Sequence, residues 1–496
     1  LFRHLKGQEK CTAFHGINGK KKRIMEKIFR NFLLLGCLIA VSNCVSSPEV
    51  IRDIRVLPQS HRHYLDAESA DHPLLTPEEH RCAVERFQAA CFSPWHRDAP
   101  VHPKEELALP FLKTALNPGY GENKRRHSRE WVESLEHNAC LEDYPNRVFR
   151  AITVDNADLR VLPTHRPHFT SPGGPGTGFP FDHLQNSSIH VHTPVLVTHA
   201  SRDKSWLFVE SHTGAGWIAA RDIAAVDPIF ISCWQDHPLL AVLKDETPIY
   251  DEAGVFLFMA DTGAFFPLVD EDRERYCILA ATPDEDRSAR IRRAWVDSAA
   301  VRPLPLPPTQ ADVASLADEL LNKPYGWGGL YRNRDCSSTL KDLFTPFGIW
   351  LPRHSSHQAT ESGFYIDLTP LSSESKKQTI LEEGIPFFTL LWLQGHIMLY
   401  VGKQDGEPIV FHNMWGIRTR NILGREGRKI VGHAALTTLR PGTDLPDVDR
   451  PAANLLTRIK GMTLLVDPGG TVTTSLPAPA SPFAEDLFGP PDRNDP

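Results

Sequence analysis

The chain has 496 residues, 41% of them hydrophobic, 9% aromatic and 23% charged, with a formal net charge of -7. That length allows roughly three or four domains of about 100–200 residues, the hydrophobic and aromatic content excludes a mostly disordered chain, and the negative balance gives no general electrostatic reason to bind nucleic acid. The 41 prolines, about 8% against a usual value of about 5%, point to strands, loops and linkers and not to a helical bundle.

In chain order, residues 1–24 end in the basic run Lys20 to Arg23, and translation is expected to begin at Met25, with 1–24 a misassigned start. Residues 25–44 read as an export signal. Lys27 and Arg30 supply the positive region, and Phe32 to Val41 form an apolar stretch of ten residues, too short to span about 30 Å of hydrocarbon as a helix. Val41-Ser42-Asn43-Cys44 resembles a bacterial lipoprotein box, which makes Cys44 the expected lipidation site. The expected location is therefore the periplasm or cell envelope, with membrane contact only through that anchor. Six further cysteines (Cys82, Cys91, Cys140, Cys233, Cys277 and Cys336) show no disulfide framework and no paired metal spacing.

Residues 55–147 read as a helical N-terminal segment. Thr76-Pro77-Glu78-Glu79 is a capping box with proline at the first helical position, followed by Ala83, Val84, Phe87 and Cys91 at helical spacing. Over 148–232 short β-type runs take over: 194–198, 205–210 and 216–219, separated by polar turns. Their W-x-x-V and G-x-G-W-I pattern resembles a bacterial SH3-like barrel, and 233–302 reads as a second barrel of the same type. The proline run 303–308 reads as a stiff linker leading into a segment that ends near 441, and 442–496 as a loose tail rich in proline and aspartate.

The chemistry concentrates in 303–441. A helix capped at Thr309 carries Val313, Leu316, Ala317, Leu320 and Leu321 on one face. The loop Tyr325-Gly326-Trp327-Gly328-Gly329 follows, then Asp335-Cys336-Ser337-Ser338, after which Leu340, Leu343, Phe344 and Phe347 recur at helical spacing, so Cys336 opens a helix. A helix N-terminus offers unpaired N–H groups and about half a positive charge, which favours a thiolate. Gln394 to Gly402 reads as a strand with His396, Met398 and Tyr400 on one face and Ile397, Leu399 and Val401 on the other. A turn at Asp405-Gly406 leads into a second strand carrying His412, and an antiparallel pair brings His396 and His412 together. That set suits nucleophilic catalysis, with His396 deprotonating Cys336 and His412 orienting it.

Y-G-W-G-G (325–329), D-C-S-S (335–338), L-P-R-H-S-S-H-Q-A (351–359) and G-H-I-M-L-Y-V-G (395–402), followed by a further histidine, together resemble the NlpC family of bacterial cell-wall cysteine peptidases. With the helical segment and two SH3-like barrels, the resemblance extends to the subgroup of γ-D-glutamyl-L-diamino-acid endopeptidases. It implies a multidomain α+β chain: a helical N-terminal segment, two SH3-like β-barrels and a C-terminal papain-like α+β catalytic domain. It also implies that Cys336 is the nucleophile, His396 the base and His412 the third residue. Asp335 and Ser337 are then expected to hold the free amino group of the substrate's L-alanine, Tyr325 and Trp327 to line the pocket, and Ser355 to stand near the substrate. Two positions depart from the family pattern: Ser338 replaces a glycine, and Gly384 to Phe388 stands where a Gly-Asp pair precedes the histidine strand.

The expected partners are murein peptides or peptidoglycan, with no metal or organic cofactor implied. Alternatives are an amidase or acyltransferase using the same Cys–His chemistry, or a non-catalytic wall-binding lipoprotein.

Overall fold

Helix α1 (Pro77–Phe92) starts as its spacing requires: Thr76 Oγ1 accepts from Glu79 N, and the Glu79 carboxylate accepts from Thr76 N at 2.7 Å. Two further helices follow, α2 (Lys104–Leu116) and α3 (Arg129–Ala139). The computed structural model describes residues 50–465 and 483. The expected signal segment 25–44, Cys44 and most of the tail lie outside the described residues. No helix among those described is long and apolar enough to cross a membrane.

Residues 148–232 form a seven-stranded antiparallel sheet. Its strands are β1 to β7: Phe149–Thr153, Ala157–Arg160, Gln185–Ile189, Pro194–Ala200, Trp206–Glu210, Ala215–Ala219 and Ile223–Ala225. The order is β3-β2-β6-β5-β4-β1-β7. After helix α4 (Pro228–Gln235), a second seven-stranded sheet is made of β8 to β14: Leu239–Val242, Thr247–Asp251, Phe256–Ala260, Phe265–Glu271, Arg275–Pro283, Ala289–Asp297 and Val301–Leu304. Its order is β10-β9-β13-β12-β11-β8-β14. Both are open sheets with two edge strands each, a correction to the closed barrels expected. The expected linker also begins later, because Pro303 and Leu304 pair with Leu240 and Leu239 on the edge strand β14, a position where a missing N–H is tolerated.

The helical segment wedges against both sheets. Phe87, Cys91 and Phe92 of α1 pack with Leu239, Ala241 and Leu279 of the second sheet. Leu107 and Phe111 of α2 and Leu135 of α3 pack with Leu184, Phe208 and Trp217 of the first, and Phe483 from the tail joins that cluster.

The third sheet has six antiparallel strands, β15 to β20: Phe364–Asp367, Thr389–Leu393, His396–Gln404, Glu407–Arg420, Glu426–Thr438 and Gly461–Leu464. Its order is β15-β20-β16-β17-β18-β19. Helices α5 (Gln310–Leu320) and α6 (Cys336–Phe344) cover one face, burying Val313, Leu340 and Phe344 against Ile397, Leu399 and Phe411. Met398, Tyr400 and Val410 point to the other face, where they pack with Leu455 and Ile459. Two further helices, α7 (Ser355–Glu361) and α8 (Ser373–Glu383), lie between α6 and β16 in sequence.

Residues 442–464 are not a loose tail. Gly461–Leu464 pairs with β15 on one side and β16 on the other, so the edge strand β15 joins the sheet only through this late strand. The six described cysteines are all free thiols.

Candidate active site

Asp335 caps α6 and Cys336 is its first residue. Asp335 Oδ1 accepts from Ser338 N at 2.9 Å, and Ser338 Oγ accepts from Asp335 N at 2.9 Å. The serine that replaces the family's glycine therefore closes a reciprocal cap and fixes the turn that presents the thiol. Asn413 donates to the carbonyl oxygen of Arg334 at 2.9 Å, tying β18 to the same turn.

Hairpin β17–β18 turns at Asp405 and Gly406, both in the left-handed region with φ of 52° and 75° as a two-residue hairpin requires. His396 Nε2 lies 2.8 Å from His412 Nδ1, and His412 Nε2 lies 3.0 Å from Thr437 Oγ1 on β19. The tautomer that follows has Thr437 and His412 acting in series on His396. It leaves His396 Nδ1 as the nitrogen available to a thiol.

The Cys336 side chain is nearly sealed, at 8% exposure. Backbone N–H groups of Ile397, the residue after His396, and of Ser337 meet the sulfur. Cys336 thus lies at the N-terminal end of the strand that carries His396. No thiol–imidazole hydrogen bond is formed among the described residues.

Burial pushes the Cys336 thiol up to about 12, with the Asp335 carboxylate adding to the rise and those N–H groups opposing it. Burial likewise holds His396 well below 6.5, assisted by His412 and Arg458, and lowers His412 to about 3. Desolvation thus works against the thiolate that the helix N-terminus favours.

Asp335 does not stand free for a ligand. Arg353 Nη2 donates to Asp335 Oδ2 at 2.6 Å and Arg353 Nη1 to Ser337 Oγ at 2.8 Å, while Ser337 Oγ donates to Asp335 Oδ1 at 3.2 Å. Burial alone would raise the Asp335 carboxyl, but the charge and hydrogen bonds of Arg353 and the bonds to Ser338 leave it lowered. The first sheet completes this network. Ser187 Oγ accepts from Arg353 Nε at 2.8 Å, and Gln185 Nε2 donates to the Gly328 carbonyl at 3.2 Å. Gly328 sits at φ 60° with its N–H on Asp335 Oδ2, and a Cβ there would lie 2.4 Å from Gln185 O, so this loop needs glycine.

Trp327 and Tyr325 sit in an aromatic cluster, Trp327 against Phe181 at 5.2 Å between ring centroids and Tyr325 against Trp415 at 6.0 Å. Ser355 is the first residue of α7, next to the Arg353 network in sequence. Sequence reasoning missed Arg353, although it stands in the quoted 351–359 motif, and it missed Ser187, Gln185, Phe181 and Trp415. Nothing in a single strand or loop marks Ser187, Gln185, Phe181 and Trp415, 79 to 155 positions from Cys336, as parts of one site.

The second sheet grips the same turn from another side. Arg334 Nη1 and Nη2 pair with Asp245 at 2.9 and 2.8 Å, and its Nε pairs with Asp342 of α6 at 2.6 Å, all three side chains being buried.

Comparison with known proteins gives four consecutive family matches. Residues 28–144 match the NLPC_P60 stabilising domain, 167–219 an SH3 domain of SH3b1 type, 227–273 an SH3 domain of SH3b2 type, and 322–424 the NlpC/P60 family. Among solved structures the chain is similar to an NlpC/P60 endopeptidase from Photobacterium damselae subsp. piscicida. That match has 27% identity and a TM-score of 0.73, and covers 82% of this chain and 97% of the other. An NlpC/P60 family protein from Bacillus cereus is also found, at 16% identity and a TM-score of 0.43, over 63% of this chain and 98% of that one. No curated protein matches the chain.

Proposed function

We propose that this chain, which belongs to the NlpC/P60 family of cysteine peptidases and carries two SH3b domains, hydrolyses the γ-D-glutamyl–diamino acid bond of murein stem peptides. The proposed place of action is the periplasm or cell envelope, with Cys44 as the lipid attachment site. The observation that carries the catalytic part is the relay from Thr437 through His412 to His396, set on the strand whose next amide meets the sulfur of Cys336.

In this reading the substrate carbonyl of γ-D-glutamate enters beside the sulfur. Because desolvation disfavours both thiolate and imidazolium, proton transfer accompanies attack. Sulfur bonds to the carbonyl carbon as His396 Nδ1 takes the thiol proton, and the imidazolium is steadied by His412. The amide N–H of Cys336, at the open end of α6, is the proposed donor to the oxyanion. The carbon–nitrogen bond then breaks, His396 gives its proton to the leaving amine, and water attacks the thioester with His396 again as base. Tyr325 and Trp327 wall the pocket, with Ser355 close to the bound peptide.

Recognition of a free L-alanine ammonium by Asp335 and Ser337 requires that carboxylate to be shared with Arg353, and a preference for unblocked peptides is proposed on that basis.

Cys336→Ala is expected to abolish hydrolysis of L-alanyl-γ-D-glutamyl-diaminopimelate with the fold retained by circular dichroism. Undiminished cleavage by that variant overturns the assignment. Mass spectrometry of the products separates this peptidase from an amidase or acyltransferase, since only the peptidase yields the diamino acid together with L-alanyl-D-glutamate bearing a free γ-carboxylate.

A further inference from the structure

The end of hairpin β18–β19 is braced, yet it stands clear of the core. Asp449 N donates to the Arg418 carbonyl at 3.0 Å and Arg420 N to the Asp447 carbonyl at 2.6 Å, so segment 447–449 supports β18 to its last residue. Beyond it Asn421 builds the turn. Its Oδ1 accepts from Leu423 N at 3.0 Å and from Arg425 N at 2.9 Å, and Gly424 N donates to its carbonyl at 2.8 Å. Small or polar residues dominate the centre of such turns. Here the centre is Ile422 and Leu423, at 99% and 73% exposure, with Ile430 of β19 at 46%. A braced turn that presents large aliphatic side chains to water is not explained by core packing.

Charge gathers at the same place. Residues 418–429 hold five cations and one carboxylate, in a chain of net charge -7. Arg418 and Arg428 pair with that carboxylate, Glu426, at 3.5 and 2.8 Å, and Arg420 pairs with Asp449 at 3.1 Å. Arg425 and Lys429 have no carboxylate partner among the described residues. An apolar tip backed by cations suits hydrocarbon lying under anionic headgroups. A folded protein partner fits less well, because a stable interface takes about 800 Å² from each side and a two-residue convex tip offers far less. Two copies meeting tip to tip would oppose like charges.

The course of the chain adds a second argument. Ile51, 1% exposed, packs with Met414 and Ile417 of β18 and with Leu445 and Ala453. The described fold therefore begins beside this hairpin. Cys44, the proposed lipid attachment site, precedes Ile51 by seven residues. That length spans at most about 25 Å, and the strand from Ile417 to Ile422 rises about 16 Å. A lipid on Cys44 and the tip can thus engage one bilayer, as the two weak signals that stable attachment needs.

We infer that hairpin β18–β19 inserts Ile422 and Leu423 into the headgroup region of an anionic bilayer, with Arg425 and Lys429 on the lipid phosphates. The inference rests on the envelope location proposed above, and its test does not depend on hydrolysis.

The experiment is flotation of residues 44–496, made without lipid, on vesicles of phosphatidylethanolamine and phosphatidylglycerol. Binding is expected on these and not on phosphatidylcholine vesicles. The double variants Ile422→Ser with Leu423→Ser, and Arg425→Glu with Lys429→Glu, are each expected to weaken it at least tenfold. Their hydrolysis of stem peptide in solution is expected to stay unchanged. Absent flotation, equal flotation on phosphatidylcholine, or affinity unchanged in either double variant overturns the inference. Self-association in sedimentation velocity that the Ile422→Ser, Leu423→Ser variant abolishes overturns it as well. Vesicle binding by a chain that cell fractionation finds in the cytoplasm removes the location alone. Hydrolysis without vesicle binding removes the membrane contact alone.

Discussion

The two SH3b sheets have the same strand count and both touch the turn before Cys336, yet they touch it with different chemistry. The first reaches it with neutral donors and acceptors: Ser187 on Arg353 and Gln185 on Gly328, one step from Asp335. The second reaches it with carboxylate charge, Asp245 on the buried Arg334 and Asp261 on the exposed Arg332. A short hydrogen-bond network shapes a pocket and tolerates small adjustments. A buried ion pair has a steep cost for separation and so fixes position. The first sheet thus shapes the Asp335–Arg353 network, and the second is the clamp that holds the segment leading into Cys336.

The harshest way to break that contrast is Asp245→Ala. It leaves Arg334 buried with only Asp342 for charge, and a loss of about 3–5 kcal/mol is expected. Denaturant unfolding checks it, and a loss under about 1 kcal/mol would deny the clamp. A gentler cut is Ser187→Ala in the first sheet, which strips an acceptor from Arg353 Nε. About 1–3 kcal/mol is expected, read as a raised KM for stem peptide with a smaller change in kcat. A pure kcat effect would move Ser187 from network support to catalytic positioning.

Acid sharpens the comparison at the seam between the sheets. His192 of the first unit is fully buried against Ala281 of the second, with Nε2 3.1 Å from the Ala281 oxygen, and burial lowers it to about 3. Half-buried His212 and buried His412 are lowered to about 3 as well, His212 by desolvation and then by Lys341. Below pH 6.5 the unfolded chain binds protons that these folded imidazoles refuse, so stability present above 6.5 is lost as pH falls toward 3. Between pH 6.5 and 5.5 each such group contributes a loss of about 1 kcal/mol. Melting temperatures across that range check the sign, and a flat profile would contradict it.

Much of this site could be read along the chain. The Thr76 box, the face of α5, the helix opened by Cys336, the turn at Asp405-Gly406 and the meeting of His396 with His412 are all local signals. Each depends on neighbours within one element or one hairpin, where periodicity and turn chemistry report the backbone directly. The linker and tail boundaries failed for the opposite reason. Strand β14 contains a proline, and β20 is four residues that show no period, with partners 70 to 100 positions earlier.

By itself, then, the sequence determined the locally encoded helices and hairpin and that one thiol and two imidazoles share a domain. Tertiary structure alone decided the state of that thiol, because its protonation depends on how much water the packed strand β17 excludes. It also decided that Asp335 is claimed by Arg353 and that Ser187 and Asp245 converge on one turn. These are outcomes of long-range packing, in which desolvation and ion pairing act between segments that no local pattern connects.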